Sequence, residues 1–274
     1  MIGTQIMRPV EEARAFQHAL RETGGYRTDP AHPVSAWGRS DLWFYLRFFK
    51  FLWEGSRHCA RGTYTEPVWA AHSYTYLKIV EDCGGKVEIN GFEHPAALGR
   101  TAVYIGNHMS GLEGFIIPVL LQTLDKVAAV AKESLLHYPL LGAITRAIDP
   151  ITVGRKNPRE DLKTVLEQGK AFLENGRSIV IFPQATRSPR FERKAFNSLG
   201  VKLAKIAAAP IVPLALKTDF MENGRLVKDI GSLDRSRTIH FRFGRPLTVE
   251  GSGKAANEAV MDFIESCLAE WSGP

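Results

Sequence analysis

With 274 residues, 45% of them apolar and 23% charged, the chain has enough hydrophobic material for a large core and too little charge for disorder. Thirty-five Lys and Arg against 29 Asp and Glu leave a net charge of +6, which favours anionic partners. Cys59, Cys83 and Cys267 form no C-x-x-C pair, so neither a disulfide framework nor a zinc knuckle is indicated.

The first residues offer no apolar core ahead of a small-residue cleavage site, so no secretory signal and a cytoplasmic setting are expected. Helix-compatible runs cover 11–22, 41–54 and 67–81, separated by Gly24-Gly25 and Asp29 to Pro33. Within the second, Leu42 to Trp53 reads LWFYLRFFKFLW, interrupted only by Arg47 and Lys50. Twelve helical residues make about 18 Å, too short to cross a bilayer but suited to its headgroup boundary, with the two cations toward lipid phosphates. Burial against the rest of the chain explains the same residues.

Beyond Gly84-Gly85 the pattern changes. Short β-rich runs at 87–90, 102–106, 127–131, 151–153, 178–182, 211–216 and 238–243 alternate with helical stretches at 110–121, 158–174, 194–208 and 254–271. The expectation is an N-terminal helical, membrane-contacting region over 1–85 and an α/β domain over 86–274. Reactive groups in such folds sit at strand ends.

After the strand TAVYIG comes Asn107-His108-Met109-Ser110-Gly111-Leu112-Glu113, an N-H-x4-E arrangement at a strand-to-helix turn. A carboxylate in the first helical turn can fold back to Nδ1 of the histidine and leave Nε2 to take a proton. At about 3 Å and an effective dielectric near 20, its attraction for an imidazolium is roughly 5 kcal/mol before desolvation. Ser110-x-x-Glu113 also reads as a capping box, a purely structural role. Ser110 lacks the G-x-S-x-G frame of a nucleophile elbow, and no H-E-x-x-H or related spacing supports a metal.

Two further strand ends carry cations. SIVIF runs into Pro183-Gln184-Ala185-Thr186-Arg187-Ser188, followed by Arg190, Arg193 and Lys194, and Ile151-Thr152-Val153 runs into Gly154-Arg155-Lys156. Arginine, hydroxyls and loop N–H groups at such positions suit a phosphate. Neither a G-x4-G-K-[ST] nor a G-x-G-x-x-G loop is present, and the aromatics are not interleaved with the cations as nucleic-acid binding would ask.

Taken in this order, the segments resemble the glycerolipid acyltransferase family typified by the 1-acylglycerol-3-phosphate (lysophosphatidic acid) acyltransferases. Asn107-His108 with Glu113 resembles its N-H-x4-D block, Val153-Gly154-Arg155 its second, Phe182 to Ser188 its F-P-E-G-T-R-S block, and Ile211-Val212-Pro213 its fourth. The resemblance implies a mixed central sheet flanked by helices, without a cofactor, and a peripheral or monotopic enzyme on the cytoplasmic side of a membrane. It implies transfer of a fatty acyl group from acyl-CoA or acyl carrier protein to a lysophospholipid hydroxyl. His108 would be the general base and Glu113 its orienting partner. Asn107, Arg155, Gln184, Thr186, Arg187 and Ser188 would bind substrate, the two arginines taking the acceptor phosphate.

Two departures stand out. Glu113 replaces the usual Asp, and Gln184-Ala185 replaces Glu-Gly, removing a charge and a glycine beside the expected phosphate site. Other acceptors, glycerol 3-phosphate or a lyso-aminolipid, therefore stay open, as does a non-catalytic lipid-binding relative.

Overall fold

The computed structural model describes residues 2–34, 36–184, 186–224 and 230–273. Helix α1 (Ile2–Thr23) leads through a short strand β1 (Tyr26–Arg27) to α2 (Asp41–Ala60) and α3 (Glu66–Asp82). Then follow β2 (Lys86–Asn90), α4 (Glu93–Ala96), β3 (Val103–Gly106), α5 (Leu112–Leu121), β4 (Lys126–Lys132), α6 (Leu141–Ala147), β5 (Ile151–Val153) and α7 (Pro158–Glu174). The chain closes with β6 (Arg177–Ile181), α8 (Leu199–Ile206), β7 (Ile211–Lys217), β8 (Thr238–Phe243) and α9 (Lys254–Ser272).

Among the described residues the strands form one eight-stranded sheet in the order β1-β2-β8-β7-β3-β6-β4-β5. From β7 to β5 every pairing is parallel, whereas β8 runs antiparallel to β7, so the sheet is mixed as expected. A parallel block aims all its carboxyl ends at one edge, where the loops after β3, β4, β5, β6 and β7 gather.

Strand alternation sorts the core into two layers. Tyr104, Val180, Val212, Leu214 and Leu216 face helices α1, α2, α3 and α5, while Val103, Ile105, Ile179, Ile181 and Ala215 face α7, α8 and α9. The N-terminal helices are thus one of the two layers clothing the sheet, and β1 adds a strand to its edge. The helix expected over 194–208 is shorter. Its first turn is a 3-10 turn at Arg193–Ala195, and the Asn197 side chain accepts the Leu199 N–H at 2.9 Å where α8 starts.

Helix α2 is two-faced. Phe44, Tyr45, Phe48, Phe51 and Leu52 are buried, and Phe48 meets Phe44, Phe51, Tyr76 and Phe115 in ring contacts. Leu42, Leu46, Phe49 and Trp53 lie 70%, 54%, 46% and 47% exposed along the other side. The two cations expected to share that outer face separate. Arg47 turns back to Asp82 of α3 at 2.8 Å, and Lys50 stays exposed. No helix among the described residues is long and apolar enough to cross a membrane.

His72 of α3 locks α2 in place. Its ring stacks on Phe51 at 3.7 Å, Nε2 donates to the Phe51 carbonyl at 2.8 Å, and Nδ1 accepts the Tyr64 hydroxyl at 3.0 Å. Gly55 makes room, since a Cβ there would lie 2.5 Å from the imidazole. Burial depresses the His72 pKa from 6.5 to about 4. Protonation therefore costs the folded chain more than the unfolded one. The contribution of this group is intact above pH 6.5 and is lost as pH falls toward 4, at up to about 1.4 kcal/mol per pH unit. His72→Gln is expected to flatten the pH dependence of stability in that window. Urea unfolding of both proteins from pH 7 to 4.5 checks it, and equal slopes would remove His72 as the cause.

Candidate active site

Asn107 follows β3 directly and is buried. Its amide donates to the Leu216 carbonyl at 2.7 Å and accepts the Leu216 N–H at 2.8 Å. It thereby extends the β3–β7 ladder with a side chain. Of the residues expected to bind substrate, this one is committed to the frame. Gly106 permits the close approach, because a Cβ there would lie 2.9 Å from the Leu214 carbonyl oxygen.

His108 comes next, at the parallel block's carboxyl edge, with 24% of its side chain exposed. Its ring stacks on Phe182 at 4.5 Å between centroids. The loop after β6 grips its backbone from both sides, as Gln184 Oε1 accepts the His108 N–H at 2.7 Å and the Ser188 N–H donates to the His108 carbonyl at 2.9 Å. Nδ1 bonds to Oε2 of Glu113, whose side chain has no solvent exposure. A carboxylate acceptor places the proton on Nδ1, so the basic lone pair is on Nε2.

The capping box and the orienting carboxylate are the same side chain. Oε1 of Glu113 accepts the N–H groups of Met109 at 2.8 Å and Ser110 at 3.0 Å, while Oε2 is left to the histidine. Ser110 is no nucleophile. Its hydroxyl accepts the Leu112 N–H at 3.2 Å and donates to Thr218 at 3.0 Å, and the residue is buried.

The cationic strand ends lie along the same edge. In the order β3-β6-β4-β5, the Arg187 loop is on the neighbouring strand and Arg155 three strands away, about 14 Å at ordinary strand spacing. Arg155 has a left-handed backbone, φ 59°, and its turn is held by Asp161, whose carboxylate accepts the N–H groups of Gly154 at 3.0 Å and Arg155 at 2.8 Å. Thr186 is exposed and Arg187 half-buried, whereas Ser188 Oγ is turned to the Arg190 carbonyl at 2.7 Å. Ala185 lies outside the described residues. Arg193 leaves the basic cluster altogether, because Glu258, Asp262 and Glu265 of α9 surround its guanidinium.

Sequence reasoning missed Asp161 and Thr218, and it named Phe182 as the start of the third block without its stacking on His108. An acid in the first turn of α7 is a signal for Asp161, but stacking and hydroxyl contacts between strands that are neighbours in the sheet and far apart in sequence leave no local signal. A hollow of about 850 Å³ opens at the opposite edge of the sheet, beside Asn90, Pro213 and Arg242, away from His108.

Residues 86–217 match the family model described as acyltransferase. This segment, just under half of the chain, is where the chain is similar to the acyltransferase family. A 1-acyl-sn-glycerol-3-phosphate acyltransferase of Pseudomonas aeruginosa is 26% identical over 78% of this chain and 80% of its own length. One from Limnanthes alba is 33% identical over 48% of this chain and 46% of its own. The crystal structure of the 1-acyl-sn-glycerophosphate acyltransferase PlsC from Thermotoga maritima covers 85% of this chain and 95% of its own, with a TM-score of 0.63 and 17% identity, a likeness of fold. The acyltransferase segment runs from β2 to the end of β7 and contains every strand end described above.

Asn107→Ala would leave two buried main-chain groups of Leu216 unpaired, and a loss of about 2 to 4 kcal/mol in chemical denaturation is expected. Unchanged stability with a raised acceptor KM would instead make Asn107 a substrate ligand.

Proposed function

We propose that this acyltransferase moves a fatty acyl group from a thioester donor, acyl-CoA or acyl carrier protein, to the free hydroxyl of a lysophospholipid such as 1-acylglycerol 3-phosphate. The observation that carries the reading is the bond from His108 Nδ1 to Glu113 Oε2, with the second carboxylate oxygen fixed by the Met109 and Ser110 main chain. The names of the similar enzymes support the acceptor.

In this reading Nε2 of His108 removes the acceptor hydroxyl proton as the oxygen attacks the thioester carbonyl. The negative charge of Glu113 offsets the imidazolium that forms. Collapse of the tetrahedral adduct breaks the carbon–sulfur bond, and the proton on Nε2 passes to the departing thiolate. No acyl-enzyme is formed. Arg187 and Arg155 hold the acceptor phosphate, and Thr186 lies beside Arg187 on the same loop. Gln184 accepts the His108 N–H as a glutamate would, but without adding negative charge near Arg187. That neutrality favours a phosphomonoester acceptor.

A lipid substrate has to be met at a surface. We assign that contact to the outer face of α2, where Leu42, Leu46, Phe49 and Trp53 form an apolar stripe and Arg57 lies over the Trp53 ring at 4.5 Å.

Turnover is measured as free thiol released from acyl-CoA with 1-acylglycerol 3-phosphate, glycerol 3-phosphate and a lyso-aminolipid as acceptors. His108→Ala and Glu113→Gln are each expected to lower kcat by about 10² to 10⁴. In the glutamine variant the amide oxygen keeps the capping bonds while the amide NH2 faces Nδ1 and imposes the wrong tautomer. Full turnover in both variants would dispose of the pair as general base. A wild-type chain that binds anionic vesicles yet releases no thiol with any donor would make it a lipid-binding relative. Arg155→Ala and Arg187→Ala are expected to raise the acceptor KM about tenfold or more and to leave the donor KM unchanged. Equal effects on both substrates would remove the phosphate assignment.

A further inference from the structure

Glutamate has one more side-chain torsion than the aspartate that the resemblance leads one to expect, so at position 113 something has to hold the longer arm. The Met109 and Ser110 N–H groups belong to the same short turn as the pair itself and move with it. A third donor comes from elsewhere. Thr218, immediately after β7, donates its hydroxyl proton to Glu113 Oε1 at 2.5 Å, across 105 residues of sequence. Behind it the bonds continue in one direction, from the Leu112 N–H to Ser110 Oγ at 3.2 Å and from the Ser110 hydroxyl to Thr218 Oγ1 at 3.0 Å. Aligned hydroxyls of this kind polarise one another toward the anion at the end of the chain. Ser110, Thr218 and Glu113 are 1%, 0% and 0% exposed, so this chain is dry.

We infer that Thr218 is a positioning residue for His108, acting through Glu113. The inference rests on the acyl-transfer reading above. β7 already holds Asn107 through the Leu216 main chain, and two residues later it holds Glu113 through a hydroxyl. One strand therefore references both neighbours of the reacting imidazole to the sheet. With three donors on Oε1, the carboxylate cannot turn about its Cγ–Cδ bond, and Oε2 stays on Nδ1. Removing the Thr218 hydroxyl frees that rotation, and a fraction of molecules loses the tautomer that makes Nε2 basic. Thr218 has no exposed surface, so it touches neither substrate, and the loss falls on kcat alone.

The test uses Thr218→Val, which keeps the side-chain shape, and Thr218→Ser, which keeps the hydroxyl, with kcat and both KM values measured by thiol release. Thr218→Val is expected to lose about tenfold in kcat with each KM within about twofold of wild type, and Thr218→Ser to retain about half or more. A second measurement needs no turnover. The downfield Nδ1–H proton resonance, assigned by its absence in His108→Ala, is expected in wild type and Thr218→Ser and shifted in Thr218→Val. Should Thr218→Val not fold, Thr218→Ala carries both measurements. Wild-type kcat and an unmoved resonance in the valine variant overturn the inference. So does a serine variant as impaired as the valine one, since packing would then be the cause. A wild-type chain without turnover defeats the acyl-transfer reading, whereas the resonance still decides whether Thr218 holds the pair.

Discussion

A carboxylate stripped of water survives in a protein only when its oxygens are bonded, and Glu113 meets that condition with four donors on two oxygens. The division of labour between those oxygens organises the site. Oε1 belongs to the architecture, closing the turn before α5 and meeting β7, and Oε2 belongs to His108. The helix cap and the histidine's orienting partner are therefore not competing explanations of the S-x-x-E pattern, because one side chain performs both.

The surroundings of His108 follow from sheet geometry. Its position at the end of β3 is set on one side by β7, through Asn107 and Thr218, and on the other by the loop after β6, through Gln184, Ser188 and the Phe182 ring. A parallel block sends all these strands the same way, so groups from residues 107, 155, 187 and 218 reach one edge although the chain between them is long. Arg155 shows the cost of such placement. Its backbone is in the left-handed region that side chains other than glycine rarely adopt, and Asp161 supplies two hydrogen bonds that hold it there.

The N-terminal helices give the molecule a second asymmetry. The aromatic helix α2 buries one face against α3 and α5 and leaves the other apolar face exposed, so burial accounts for one side of LWFYLRFFKFLW and the surface contact proposed above concerns only the other. Arg47 went inward because Asp82 lies within reach on α3, a partner that the local sequence does not reveal.

By itself the sequence settled those features that depend on short-range order. The strand-to-helix alternation after Gly85, the ends of β5, β8 and α7, the turn carrying His108 and Glu113, and the resemblance of the four ordered blocks were all legible, because periodicity and motif spacing are local properties of a chain. The elements that escaped, β1, α4 and α6, are too short for a period to register. Only tertiary structure decided that Asn107 pairs with Leu216, that Arg193 is taken by three acids of α9, and that Thr218 reaches Glu113. Each of those contacts joins residues more than 60 positions apart, and such distances are set by the order and register of strands in the sheet.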